Sequence, residues 1–469
     1  MESVHQRHAY ARSPVLTQRL ANSFKMNGGT RELAASRIPL ESRTRPNSHP
    51  ALILPAWRRC STFLALALII LLTTAELVAQ SVGAPLPPWT PGMLDIHKIS
   101  TGRGNAALLV FPDGTSMLVD AGDGNPEPPA GATPVPNASR TPGEWIARYA
   151  RRMLSHDPNP VIDYGFITHF HGDHMGRLTP ESPAHASGRY RLTGFTDVAR
   201  WIPIRTMLDR AWPDYDYPQP LDNPMVDNYR AFLETRLAQP DLKAERFQPG
   251  RNDQIVLRHA PERYPTFEIR NVAANGEVWT GVGAMTRQHF PSLSVTPPDD
   301  WPTENQSSMA FRLSYGLFDF YTGGDIPGQS APGYPTWHDV ETPIAKAVGP
   351  VDVAVANHHG IGDGTTEFFV RTLRPRVWII PSRAAGHPDR FVFNRMLSTR
   401  LYPGPRDIFS VTTQEGTRQV VAALNQLASD QGHVVIRVDA GGGRYRVIIL
   451  DDSDEAGTVQ AVHGPYEAS

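Results

Sequence analysis

The chain has 469 residues, 40% hydrophobic and 20% charged, a balance that excludes collagen, coiled coil and wholesale disorder. Lys and Arg total 45 against 47 Asp and Glu, for a net charge of −2, so nothing at whole-chain level marks a nucleic-acid binder. The single cysteine, Cys60, excludes an intramolecular disulfide and a zinc–thiolate cluster.

The net charge conceals an asymmetry. Residues 1–60 hold ten Lys/Arg and three Asp/Glu, or +7, leaving −9 on the remainder. Residues 1–57 show no apolar period and read as a disordered basic leader. Arg58-Arg59 then precede an uncharged stretch centred on ten apolar residues, Phe63 to Leu72. A transmembrane helix needs about 20 such residues. Residues 58–84 therefore read as a signal peptide with cleavage among the small residues from Val78 to Ala84, or alternatively as an uncleaved membrane anchor. This predicts export to the periplasm or exterior, with membrane contact only through this segment. Residues 85–92 read as a Pro-rich linker.

From Met93 onward, short strands alternate with occasional helices. Ala106–Phe111 and Ser116–Asp120 flank Pro112-Asp113-Gly114, a β-hairpin pattern. Thr141, Pro142 and Glu144 form a helix start, with Trp145, Ile146, Tyr149, Ala150 and Met153 as the expected apolar face. Val161–Thr168 reads as a buried strand. Asn223-Pro224 begins a second helix, with Met225, Tyr229, Phe232, Leu233 and Leu237 on one face. Further strands are expected at Met309–Tyr315, Phe318–Thr322, Val351–Ala356 and Val377–Ile380, then Val434–Val438 and Tyr445–Leu450 as a closing pair. This pattern predicts an α/β fold with mixed sheets and helices outside. A single large domain is expected over residues 93–455, followed by a tail, 456–469.

The strongest local signal is Thr168-His169-Phe170-His171-Gly172-Asp173-His174. Strand alternation sends His169 and His171 the same way, and a turn at Gly172 lets Asp173 and His174 point back. Imidazole with carboxylate suits zinc, manganese or iron in the divalent state.

The His-x-His-x-Asp-His run resembles the signature of the metallo-β-lactamase superfamily. Leu118-Val119-Asp120-Ala121-Gly122, Thr322-Gly323-Gly324-Asp325 and Asn357-His358-His359-Gly360 resemble its other motifs, in the same order. Gly386-His387-Pro388 and the stretch Asp95–Asp120 resemble the ComEC-type hydrolase domain of competence DNA uptake. The resemblance implies a four-layer αββα sandwich holding two divalent ions, zinc foremost, with manganese or iron as alternatives. His169 and His171 would bind the first ion, and Asp173, His174 and His359 the second, with Asp325 bridging and His358 as an alternative to His359. Asp120 would hold a ligand imidazole from behind.

The departure from the family pattern is the third ligand of the first ion. His185, His259 and His289 sit in no recognisable motif, and Asp209, at the end of an apolar segment, is the more attractive donor by position. The resemblance implies hydrolysis by a metal-bridged hydroxide, with Asp173 and Asp325 at the reacting centre and His387 as a proton donor to the leaving group. Arg383 reads as a solvated surface arginine. A small-molecule or phosphoester substrate, foremost a phosphodiester, is expected. An amide, lactam or lactone is the alternative, and a mononuclear or di-iron redox enzyme stands behind both. The acidic mature part argues against long nucleic acid. The 180–303 insertion is expected to shape the pocket.

Overall fold

Two helix starts show how local sequence places the first outer elements. The Thr141 side chain accepts a hydrogen bond from the Glu144 N–H and opens α1, Pro142–Met153. Asn223 accepts from the Met225 N–H and opens a helix over Pro224–Leu237. Such caps satisfy N–H groups that the helix leaves unpaired. The buried stripe of α1 is Gly143, Ile146, Ala147 and Ala150. Gly143 therefore replaces the expected Trp145, because its backbone packs against Asp197 with no room for a side chain.

The computed structural model describes residues 81–124, 133–328 and 333–469. The leader and most of the apolar segment, residues 1–80, lie outside the described residues. In chain order the strands are β1 Leu94–Lys98, β2 Ala106–Val110, β3 Ser116–Ala121, β4 Ile162–Phe166, β5 Ile204–Asp209, β6 Lys243–Arg246, β7 Phe267–Ala274, β8 Glu277–Trp279 and β9 Thr286–Gln288. They continue with β10 Ala310–Tyr315, β11 Phe318–Gly323, β12 Val353–Val355, β13 Val377–Ile380, β14 Asp407–Ser410, β15 His433–Val438, β16 Arg444–Leu450 and β17 Val459–Glu467. Among the described residues there are eight α-helices.

The strands form two mixed sheets. One has nine strands in the order β17-β16-β15-β1-β2-β3-β4-β5-β6, and the other has eight in the order β14-β13-β12-β11-β10-β7-β8-β9. In the first, β3, β4, β5 and β6 run parallel; in the second, β11, β12, β13 and β14 do. The 456–469 segment, expected as a tail, instead supplies β17, which pairs antiparallel with β16. Its alternation is broken by register shifts and by Gly464-Pro465, which hid it from a periodicity reading. The 85–92 linker is also tied down: the Leu86 N–H donates to the Gly457 carbonyl.

Alternation sorts the strand side chains. One buried cluster contains Leu94, Ile96, Phe111, Val119 and Phe166 of the first sheet with Phe311, Leu313, Phe320, Val353 and Ile379 of the second. The opposite face of the first sheet, including Leu108 and Leu118, packs with helical Ile146, Ala150, Tyr229 and Phe232. The opposite face of the second, including Tyr321 and Trp378, packs with helical Ile344, Phe369 and Phe393. Burial of each large apolar side chain contributes about 1.5–3 kcal/mol. Among the described residues no helix is long and apolar enough to cross a membrane.

Candidate metal centre

Parallel strands end together, and the chain leaves them at one edge. The histidine cluster follows β4, Asp325 follows β11, His358 and His359 follow β12, and Arg383 and His387 follow β13. The carboxyl ends of parallel strands are a usual place for sites in α/β sheets.

Asp120, near the end of β3, anchors the cluster from below. Its backbone is left-handed, with φ 59, and its side chain is fully buried. Oδ1 accepts the Thr168 N–H at 2.8 Å, and Oδ2 accepts the Thr168 hydroxyl at 2.9 Å and Asn105 Nδ2 at 2.7 Å. Oδ2 also lies 2.8 Å from His174 Nδ1. A carboxylate can only accept, so the His174 proton sits on Nδ1 and Nε2 faces inward. Gly122 permits this approach: a Cβ there would lie 1.7 Å from the Asp173 carbonyl oxygen. The short helix α2, Gly172–Met175, then presents Asp173 and His174.

Asp325 stands at the centre, buried. Its Oδ1 is 3.1 Å from His174 Nε2 and 3.4 Å from His359 Nε2. Its Oδ2 is 3.8 Å from His169 Nε2 and 3.6 Å from His358 Nε2. His359 Nε2 is also 3.0 Å from Asp173 Oδ2, and His169 Nε2 is 3.1 Å from His171 Nδ1. Two donor groups result: Asp173, His174, Asp325 and His359, and His169, His171 and Asp325. His358 and His359 reach this centre from consecutive left-handed residues, φ 46 and 54. The His359 Nδ1 lies 2.9 Å from the Pro381 carbonyl, an acceptor that fixes the proton there.

The charges fit a cation. Burial opposes ionisation of Asp325 and Asp173, yet the positive charges of His174 and, next, His359 hold both carboxyls well below their usual range. Burial likewise opposes charging of His174, but the carboxylates of Asp325, Asp120 and Asp173 raise it well above its usual value. His359 shifts up against burial for the same reason, led by Asp325. The chain alone therefore keeps protons where a divalent ion would displace them. His169 differs: burial, with the His174 charge, keeps it well below its usual value and neutral. These nitrogen and oxygen donors fit divalent zinc, manganese or iron.

His387 stacks on His359, with ring centroids 5.1 Å apart and planes 10° apart. It is buried, its Nδ1 has no partner among the described residues, and burial, followed by the His359 and Arg383 charges, holds it well below the usual histidine value. Arg383, expected at the solvated surface, instead donates from Nε to Asp173 Oδ2 at 2.6 Å. Only the turn after β13 carries it there.

Asp209 is not brought to the cluster. Its Oδ1 accepts the N–H groups of Ala211 and Trp212, both at 2.7 Å, and its Oδ2 accepts the hydroxyls of Tyr215 at 2.7 Å and Tyr229 at 3.3 Å. The expectation that it ligates an ion is corrected on that ground: its acceptor capacity is used by its own turn and by the Pro224–Leu237 helix. His185 bonds Ser187, and His259 faces Asp163.

Sequence reasoning missed Lys98, Asn105 and Asp363. Lys98 is buried and donates to Asn105 Oδ1 behind Asp120. Burial lowers its pKa to about 8 against the pull of Asp120 and Asp325. Its signal was present: Leu94, Ile96 and Lys98 alternate on one strand face, and a cation on that face needs a partner. Asp363 lies 2.8 Å from His358 Nδ1.

No family model matches the chain, and no curated protein matches it. Among solved structures, a mutant of CmlA beta-hydroxylase is similar at 12% identity with a TM-score of 0.35, aligned over 75% of this chain. The chain spans 54% of the length of that protein.

Proposed function

We propose that the protein is a metal-dependent hydrolase of the metallo-β-lactamase type, with the four-layer αββα arrangement and a phosphodiester substrate. The observation that carries this reading is the division of Asp325: one carboxylate oxygen faces His174 and His359, the other His169 and His358. That is the disposition of a bridging ligand between two cation positions.

His169, His171, Asp173, His174, Asp325 and His359 would hold two divalent ions, zinc foremost. When bound, such ions supply Lewis acidity and an activated water. The chain does the remainder. Asp120 and the Pro381 carbonyl hold His174 and His359 in the tautomers that face inward. His387, uncharged and beside His359, is set to accept a proton and not to donate one to the leaving group as expected from the sequence. Arg383 places a guanidinium group at Asp173, suited to an anionic substrate. The sequence resemblance to ComEC-type domains supports phosphodiester chemistry, and the −9 charge after residue 60 favours a small substrate over long nucleic acid. The basic leader and apolar segment support export.

The test is turnover of bis-p-nitrophenyl phosphate against nitrocefin and a lactone, with zinc or manganese supplied. The phosphodiester is expected to be cleaved fastest. Preference for nitrocefin or the lactone would replace the substrate class, and no hydrolysis by the metal-loaded protein would refute the reading.

A further inference from the structure

We propose that His358 is the third imidazole of the first metal position, so that consecutive residues His358 and His359 serve the two ions separately. This rests on the two-metal reading above and goes beyond it, because it completes a position for which the sequence pattern offered only Asp209 or a histidine outside any motif.

Three imidazoles around Asp325 share one device. The Nδ1 atom of each lies against an acceptor: Asp120 for His174 at 2.8 Å, the Pro381 carbonyl for His359 at 2.9 Å, and Asp363 for His358 at 2.8 Å. In each ring the opposite nitrogen, Nε2, faces a carboxylate oxygen of Asp325. A carboxylate behind an imidazole is the usual support of a metal-ligating histidine. For His358 the supporting residue lies five positions away, in the same turn.

The separations suit a shared ion better than a hydrogen bond. His358 Nε2 and Asp325 Oδ2 are 3.6 Å apart, beyond hydrogen-bond length. With the proton on Nδ1, two lone pairs face one another across that gap. Donors bound to one tetrahedral ion at about 2.1 Å stand about 3.4 Å from each other. The 3.6 Å gap and the 3.8 Å between His169 Nε2 and the same oxygen each lie a few tenths beyond that separation, and because His358 Nε2 stands outside the close group of His169, His171 and Asp325 donors, ligation requires its ring to move inward. Asn305 Nδ2 lies 3.2 Å from His358 Nε2, and ligation requires the amide to yield that contact.

The backbone agrees. A left-handed residue without special reason costs about 1–3 kcal/mol, and two stand in succession, at φ 46 and 54. Their effect is to send adjacent side chains to different oxygens of one carboxylate. The competing donor is spent, since Asp209 accepts four hydrogen bonds within its own turn and helix.

The experiment is metal content per chain after dialysis, by mass spectrometry of zinc and by the visible spectrum of the cobalt form. It compares the wild type with His358→Asn, His359→Asn and Asp363→Ala. Asparagine tolerates left-handed backbone, and thermal melting checks the fold. The wild type is expected to hold about two ions. His358→Asn should hold about one, with a cobalt spectrum different from that of His359→Asn, and Asp363→Ala should weaken one ion about 10–100-fold. Full retention of both ions by His358→Asn would overturn the assignment. If that variant fails to fold, Asp363→Ala decides it, unchanged affinity counting against. Absence of metal from the wild type would overturn the assignment and the two-metal reading together. Two ions in the wild type, with one lost from His358→Asn as expected but no phosphodiester hydrolysis, would support the assignment and refute only the hydrolase reading.

Discussion

Asp209 and Asp325 begin from the same kind of place. Each stands at the carboxyl end of a sheet strand, each is buried, and each follows an apolar run. Their oxygens have opposite fates. Asp209 accepts two backbone N–H groups and two tyrosine hydroxyls, and burial still raises its pKa against the pull of those hydrogen bonds. Asp325 meets imidazole nitrogens from two separate segments and stays ionised far below the usual range despite burial. A strand-end aspartate becomes a candidate ligand when the fold leaves its lone pairs facing other donors, and a structural brace when its own turn absorbs them.

The comparison breaks most sharply at Asp325. Asp325→Ala is expected to take bound metal from about two ions per chain to less than one and to lower hydrolysis by at least about 10³-fold. Wild-type metal content in this variant would end the distinction.

A second group that the fold has spent is His433, buried, with Nδ1 accepting the Ser100 N–H at 3.0 Å. Burial, then the His97 charge, lowers its pKa to about 3. As pH falls below about 6.5, the unfolded chain takes up the proton first, so stability present above that pH is lost progressively toward pH 3. Between pH 7 and 4 the wild type should lose about 3 kcal/mol more than His433→Gln in denaturant unfolding. Parallel pH curves would show that this histidine is not held neutral.

Asp209→Ala sharpens the other side. Removing it strands buried donors, so unfolding should cost about 2–3 kcal/mol less, while metal content stays at the wild-type level. Loss of metal without loss of stability would return Asp209 to the candidate ligands. The smallest effect concerns the support behind a ligand: Asp120→Asn should weaken metal binding about 10–100-fold without abolishing it, read by competitive chelator titration.

What was legible in the sequence follows from chain distance. His169, His171, Asp173 and His174 lie within six residues, so strand alternation and one turn sufficed to bring them together. The caps at Thr141 and Asn223 were local too, and both helices begin there. The hairpin around Asp113-Gly114 was equally plain, with β2 and β3 on either side. Asp325 and His359 came through a family resemblance, because nothing local distinguishes a ligand from a brace. Asp209 shows the same point in reverse. Arg383 could not be placed, since its partner Asp173 is 210 residues away. β17 escaped because its edge position leaves it half exposed, with the alternation blurred.

The central claim is that Asp325 divides two cation positions. Its most direct test is anomalous diffraction from crystals of the metal-loaded protein. The account predicts two anomalous peaks about 3.5–4 Å apart, one on each side of the Asp325 carboxylate, with His358 against the peak shared by His169 and His171. A single peak, or metal bound away from Asp325, would contradict it.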